Sequence, residues 1–474
     1  MSKEKTLAKN TIIYLIGNFG SKFLSILIIP LYTNFLRADD YGYYDLIFTY
    51  ITLLMPVVTL QLSDAIYRYL LDSKTERERS SILTNSLSVI FRNLLFADLI
   101  AVFVYQFYRF DYQYLFLIQF NFTIIYNIWL QIARGFQKNL LYSISGIIYT
   151  AVSLTLNVIT IVIFKLAVGG LIISNIVAAL VAFFFIEIKI RALQRLNIKL
   201  LDKASKKKLL IFSIPLIPNV ISWWVMNVSD RTMLNYYIGM EANGIYAIAN
   251  KFPSIMFLLN TIFSLAWQES VITEKENKEF YSRMFNLYVK LQFTGAIVFL
   301  AISKILMDIL VGENFDETWK YVPFLYIATI FSGFSSFYGA SYLSSEKTVG
   351  AFYSSVVGAI VNIVVNLWLI PIIGIHGAAI STFFAFLVMW IMRLVDTRKF
   401  FEVQVNWKDF AILSVIAAVY TALYYVENMF VQVILIFISL IIFFAYNRDF
   451  LQKVLITVLK KVKISGKQNR LVGK

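Results

Sequence analysis

The sequence predicts an all-α polytopic membrane protein of about 14 transmembrane helices, built as two parallel six-helix repeats around a central cavity, plus two extra C-terminal helices. Three observations predict it. The 474 residues are 59% hydrophobic and 15% charged, with a mean hydropathy of +0.71, where a soluble domain is nearer half apolar and a quarter charged. The apolar residues fall in blocks long enough to cross a bilayer core, which takes about 20 residues of helix. Short motifs in the first half recur in the second at a nearly constant offset.

The blocks lie at residues 11–36, 43–70, 82–106, 112–133, 141–164, 168–190, 209–238, 243–268, 283–310, 321–343, 349–370, 375–395, 408–426 and 429–446. The first is too long for a signal-peptide core and has no small-residue cleavage site after it, so it is expected to remain as a span. The chain divides into an N-terminal lobe (1–191), a basic linker (192–208), a C-terminal lobe (209–400), spans 13 and 14 (401–446) and a basic tail (447–474). The sequence leaves open whether the last two spans form a groove for a lipid tail or buttress the bundle.

Lysine and arginine set the orientation. With 14 spans, both termini and six of the loops share one side, which holds 32 of the 43 basic residues; the opposite side holds Arg37, Arg109, Lys165 and Lys320. Both termini are therefore expected in the cytoplasm, in a multi-pass plasma-membrane protein. The asymmetry accounts for most of the formal charge of +15, so nucleic acid is not an expected partner. The chain has no cysteine and one histidine, which excludes disulfides, thiol chemistry and histidine metal clusters. No loop is long enough for a soluble catalytic domain.

FLRADDYGYYDL (35–46) matches YIGMEANGIYAI (237–248), with Gly42 on Gly244 and Tyr44 on Tyr246, an offset of 202 (244 − 42). NVITIVIFKLAVGGLIIS (157–174) matches the segment ending at Ser381 when Gly170 is set on Gly377, an offset of 207 (377 − 170). Spans 1–6 and 7–12 therefore read as repeats about an axis along the membrane normal, an arrangement that places transporter sites between the halves. In the second match, Pro371 is expected to end span 11, with Gly374 and Gly377 forming the turn into span 12. His376 reads as a residue of that turn.

These segments resemble a known family. GENFDETWKYVPFL (312–325), GASYLSSEKT (339–348) and NIVVNLWLIPIIGIHGAAIST (362–382) are similar to the C-terminal half of bacterial oligosaccharide flippases, and FLRADDYGYYDLI (35–47) is similar to their segment joining spans 1 and 2. These are the O-antigen and capsule repeat-unit flippases of the multidrug, oligosaccharidyl-lipid and polysaccharide exporter superfamily. The resemblance implies transfer of an undecaprenyl-diphosphate-linked oligosaccharide from the inner to the outer face of a bacterial plasma membrane by alternating access. Polysaccharide polymerases and other assembly proteins are the partners it implies.

The charges inside the spans are what such a cargo requires. A lone Lys, Arg or Asp at the bilayer centre costs roughly 2.5–3.5 kcal/mol, so Lys22, Arg68, Arg92, Arg231, Lys251, Lys290 and Lys304 need counter-ions, water or an interface. Asp64 stands one turn before Arg68, Lys304 one turn before Asp308, and Asp230 abuts Arg231. Lys22 and Lys251 have no carboxylate one turn away, and a diphosphate would supply the missing anion. Lys22, Arg231 and Lys251 are therefore the expected diphosphate-binding residues; in the resembled family, cationic residues of spans 1, 2, 7 and 8 line the cavity.

Asp45 could cap a helix, pair with Lys22 or carry a coupling ion, and Asp230 is a second candidate for ion coupling or cavity pairing. Trp223 and Trp224 in span 7 are candidates for stacking on sugar. Pro56, Pro215 and Pro218 are expected to bend spans 2 and 7. No cofactor is expected. Transport could draw on a proton gradient, a sodium gradient or the membrane potential, which is worth about 2.3 kcal/mol per charge per 100 mV. Three other functions fit parts of this pattern: a lipid II flippase, a multidrug antiporter of the same superfamily, and a membrane enzyme of polysaccharide assembly. The last usually needs a large outer loop or a catalytic histidine, so a transporter is expected rather than an enzyme.

Overall fold

The computed structural model describes residues 26–273, 277–345 and 347–472. Every regular element among them is helical. In chain order these are α1 (Ile29–Phe35), α2 (Ala38–Val58), α3 (Leu62–Asp72), α4 (Glu76–Phe107), α5 (Gln113–Gly135), α6 (Asn139–Asn157), α7 (Ala167–Ile190), α8 (Lys203–Ser213) and α9 (Ile217–Tyr237), followed by α10 (Met240–Ala249), α11 (Ser254–Thr273), α12 (Lys278–Leu310), α13 (Val322–Ser344), α14 (Thr348–Ile373), α15 (Ile375–Asp396), α16 (Trp407–Tyr424) and α17 (Met429–Val472). Eleven helical stretches are long and apolar enough to span a membrane, and α2 with α3 makes a twelfth bent by 57°. Helices α10 and α11 together occupy the place of span 8. Span 1 is described only from residue 26. Among the described residues the helices match spans 2–14 of the expected all-α architecture, with the end of span 1 in α1.

Span 2 bends after its proline as expected, and in span 7 the prolines mark a 3-10 interruption of the helix. Pro56 lies in the last turn of α2; Leu60 and Gln61 then take positive φ (50° and 53°) before α3 starts. Pro215 and Pro218 frame a 3-10 turn, Ile214–Leu216, that joins α8 to α9, because each ring removes a backbone donor and clashes with the preceding turn. Helix α8 also absorbs residues 203–208, so the basic end of the linker is helical and continuous with span 7.

Two differences from the sequence reading stand out. Span 8 is not one helix: it breaks at Asn250–Pro253, where Pro253 cannot donate and the following helix restarts at Ser254, with Ser254 Oγ bonded to Lys251 O at 2.5 Å. Pro371 does not end span 11. Helix α14 runs on to Ile373 and stops at Gly374, whose φ of 62° suits a residue without a Cβ. Gly377 lies beyond the turn, so close to the Leu369 carbonyl that a Cβ would stand 2.8 Å from its oxygen. His376 sits in the first turn of α15, 4.7 Å from the Tyr321 ring.

The repeat is visible in the packing. Ser174 and Ser381 are both fully buried, each bonded to the preceding span: Ser174 Oγ lies 3.2 Å from Thr160 Oγ1, and Ser381 Oγ donates to Asn366 Oδ1 at 2.5 Å. The repeat-related glycines Gly42 and Gly244 meet each other where α2 crosses α10. A Cβ on Gly42 would collide with the Met240 carbonyl, and one on Gly244 with the Ala38 carbonyl. Asn243 Nδ2, fully buried, donates to Gly42 O at 2.7 Å. This crossing lies at the end of the bundle poor in Lys and Arg. Beside it, Gly312 N donates to Thr33 Oγ1 at 2.8 Å. At the opposite, lysine-rich end, α8 packs on α3 and α4, with Phe212 edge-on to Tyr69 at 5.7 Å and Lys208 Nζ 4.8 Å from the same ring.

Spans 13 and 14 pack on α12 through polar contacts along its length. Lys290 pairs with Asp409 at 3.1 Å and Asn447 Nδ2 donates to Thr294 Oγ1 at 2.9 Å. Lys304 Nζ donates to Tyr424 O at 3.1 Å while lying 3.8 Å above the Trp319 ring. Lys304 is therefore satisfied by a carbonyl and an aromatic face rather than by Asp308. Arg68 likewise pairs forward with Asp72 at 3.2 Å, not back to Asp64, whose carboxylate accepts from Gln61.

Candidate functional site between the lobes

Asp45 and Arg231 come from different lobes and meet. Asp45 is two turns into α2 and Arg231 two turns from the end of α9, so both lie a short way beneath the glycine crossing. Arg231 Nε stands 2.5 Å from Asp45 Oδ2, with the side chains 13% and 17% exposed. A second nitrogen of the guanidinium, Nη1, donates to Asn227 O at 3.1 Å. Lys251 lies within electrostatic reach of both Asp45 and Arg231. It is half-buried at the break of span 8 and has no direct ion pair among the described residues. The break matters locally: an unwound turn at membrane depth is tolerated only where protein or a polar space satisfies its backbone. Lys22 lies outside the described residues.

Asp230 does not neutralise its neighbour Arg231 by direct contact. The two side chains leave α9 about 100° apart, and Asp230, 1% exposed, turns into the C-terminal lobe. There its Oδ2 accepts from Tyr246 Oη and lies 3.2 Å from Thr382 Oγ1, while Oδ1 has no partner. A buried polar chain continues beside it. Ser229 Oγ donates to Asn362 Oδ1 at 2.9 Å, Asn366 Nδ2 donates to the same oxygen at 3.2 Å, and Ser381 closes the chain. One carboxylate among hydroxyl and amide oxygens, enclosed by α9, α10, α14 and α15, offers the hard-oxygen surroundings suited to a small cation or a proton.

Trp223 and Trp224 diverge in the same way. Trp223 is half-buried against Phe386 of the C-terminal lobe, with ring centroids 5.9 Å apart. Trp224 faces the other lobe, where its Nε1 donates to Thr52 Oγ1 at 3.1 Å.

Sequence reading missed Tyr246 and Thr382 as partners of Asp230, and Asn362 and Asn366 as members of the polar chain beside it. A signal was available, because two asparagines four residues apart in an otherwise apolar span must share one buried face. Pro253, two residues after Lys251, likewise marked the break that sets that lysine free of helix geometry.

The fold has solved counterparts. The chain is similar to a lipid II flippase MurJ in an inward closed conformation (TM-score 0.75, 15% identity, covering 94% of this chain and 100% of that one). It is also similar to an inward-facing multidrug resistance MATE transporter of the MOP superfamily (TM-score 0.61, 11% identity, 86% and 95% covered). At these identities the likeness is one of fold. An uncharacterized membrane protein of Methanocaldococcus jannaschii is 22% identical, with 94% of each chain covered. Residues 7–268, more than half of the chain, match the family described as polysaccharide biosynthesis protein, and the chain, a multi-pass membrane protein with a flippase-type fold, belongs to that family.

Proposed function

We propose that this protein is a flippase that carries an undecaprenyl-diphosphate-linked oligosaccharide across a bacterial plasma membrane, from the cytoplasmic to the outer face, by alternating access. The observation that carries the proposal is the mostly buried Asp45–Arg231 pair between the lobes, with half-buried Lys251 within electrostatic reach, so that two cations share one carboxylate. A diphosphate has the charge and the acceptor oxygens to replace that carboxylate. The lysine-rich end is the cytoplasmic one, so the glycine crossing seals the outer side in this state. Trp223 and Trp224 are the aromatic groups offered to sugar, and Lys22, which lies outside the described residues, is kept as a third candidate for the diphosphate on its sequence alone.

Outward movement of two negative charges releases about 4–5 kcal/mol at 100 mV, so the membrane potential supports export. Asp230 is the coupling site: its free oxygen and the surrounding hydroxyls and amides receive a sodium ion or a proton, which returns inward as the lobes reverse.

The test is translocation in vesicles of a fluorescent lipid-diphosphate oligosaccharide under an imposed potential. Wild type should flip the lipid in response to the potential, and Arg231→Ala/Lys251→Ala should lose at least ten-fold in rate. Normal transport by the double variant would refute the diphosphate site. The likeness to the lipid II flippase favours a second reading with the same headgroup chemistry. Presenting lipid II in the same assay separates the two, because only the sugar-peptide portion differs. Export of organic cations without lipid flipping would instead support a drug antiporter.

A further inference from the structure

Helix α8 presents two unlike faces. One packs on the N-terminal lobe through Lys208, Leu209 and Phe212. The other carries Lys203, Lys206, Lys207 and Ile211, with half-buried Leu210 at its edge, and the following 3-10 turn adds Ile214 and Pro215; together these line an open groove of about 570 Å³. The spacing i, i+3, i+4, i+7 and i+8 places residues 203, 206, 207, 210 and 211 on one side of the helix, and the turn after it carries Ile214 and Pro215. None of the three ammonium groups has a carboxylate partner among the described residues. Ile211 is 64% exposed and Ile214 46%. The nearest acid in sequence, Asp202, is occupied as the helix cap, accepting from Ser205 N at 2.7 Å and Ser205 Oγ at 2.9 Å.

Basic residues that only fix topology need no such order; they can stand anywhere in a loop. Here the charges precede the apolar wall along the chain, in the order that a helix entering a bilayer leaflet from the headgroups would need. Lys207 and Ile214 are seven residues apart, about 10 Å along the helix, and α8 runs through a single 3-10 turn into the spanning helix α9. The lysines therefore lie at headgroup level and the isoleucines at the start of the hydrocarbon.

We propose that this face of α8 is a seat for an anionic phospholipid, with the phosphate held by Lys203, Lys206 and Lys207 and an acyl chain lying along Leu210, Ile211, Ile214 and Pro215. A bound lipid would hold α8 down on α3, at the end of the molecule opposite the glycine crossing. The assignment is independent of what the protein transports.

Native mass spectrometry of the purified full chain tests it, with phosphatidylglycerol and phosphatidylcholine of equal chain length as probes. Wild type should retain phosphatidylglycerol preferentially. K203Q/K206Q/K207Q should lose that preference by about five-fold per lysine removed, whereas K203R/K206R/K207R should keep it. Single K206Q, expected to lose about five-fold, serves if the triple glutamine variant does not fold. Equal retention of the two lipids by wild type, or an unchanged preference in the glutamine variants, would overturn the proposal. Displacement of phosphatidylglycerol by undecaprenyl diphosphate from wild type but not from K206Q would overturn it too, because the strip would then be a cargo site.

Discussion

The Asp45–Arg231 pair is open to a double-mutant cycle. The groups stand 2.5 Å apart, are mostly buried, and join the lobes. With charge centres about 4 Å apart and an effective dielectric near 20, their attraction is about 4 kcal/mol. Desolvation offsets much of that, so the net worth of the pair is smaller than the cost of breaking it. Asp45→Asn leaves Arg231 and Lys251 facing one another with a neutral amide between them, and Arg231→Gln leaves Asp45 opposed only by Lys251. Each single change should destabilise by about 3 kcal/mol, the lower end for a broken buried pair. The double variant should cost much less than the sum, giving a coupling of about 2 kcal/mol. Thermal unfolding of the four proteins in one detergent reads the cycle. Asp45→Asn also removes the resident rival of an incoming anion and should bind pyrophosphate more tightly than wild type. Additivity within about 0.5 kcal/mol, or weaker pyrophosphate binding by Asp45→Asn, would refute the view of Asp45 as the counter-ion that cargo displaces.

Other outcomes follow from single features. Gly42→Ala and Gly244→Ala each put a Cβ into a backbone carbonyl and should cost at least 1–3 kcal/mol, the range for overpacking, whereas Gly146→Ala, with open space around it, should cost far less; thermal stability in detergent compares the three. Asp230→Asn should abolish any dependence of transport on a sodium or proton gradient while leaving the response to membrane potential, as flux under each gradient alone would show. The Asp202 carboxyl is held below its usual range, chiefly by the Ser205 backbone N–H and then by the Ser205 hydroxyl. A depressed value in the folded state stabilises the α8 cap above the ordinary carboxylate pKa, and that contribution is lost as pH falls through the lower folded value. Amides 204–206 should therefore exchange faster at pH 3 than at pH 6 after correction for intrinsic rates.

Much of this architecture was legible because a bilayer imposes simple rules. Apolar blocks marked the spans, prolines marked the bend of span 2 and the 3-10 interruption of span 7, and repeat matches at Gly42/Gly244 and Ser174/Ser381 correspond to real packing. Side-chain partners were not legible. Asp230 and Arg231 are adjacent in sequence, yet a helix turns them to opposite tasks, one into the C-terminal lobe and one across to Asp45. Lys304 was matched to an acid one turn away, but the chain brings the Tyr424 carbonyl and the Trp319 ring closer. Spacing along one helix reports local neighbours only, and both errors arose where a different helix supplied the partner. The break at Lys251 was missed for another reason: the stretches on either side of Asn250 and Lys251 are apolar, so hydropathy reads straight across a break that only Pro253 reveals.

The meeting of Gly42 with Gly244 has a mechanical consequence. Two backbones that touch without intervening side chains have nothing to interdigitate, so their contact resembles a pivot more than a clasp. It lies near one end of a bundle whose far end is about 30 Å away across the hydrocarbon. A rigid rotation of about ten degrees around it would sweep that far end through about 5 Å, while the hydrogen bond from Asn243 to Gly42 adjusts at the pivot itself. Under the alternating access proposed above, small changes at the hinge point would become large changes in aperture, and the two halves of a duplicated sequence would turn on the residue they have in common.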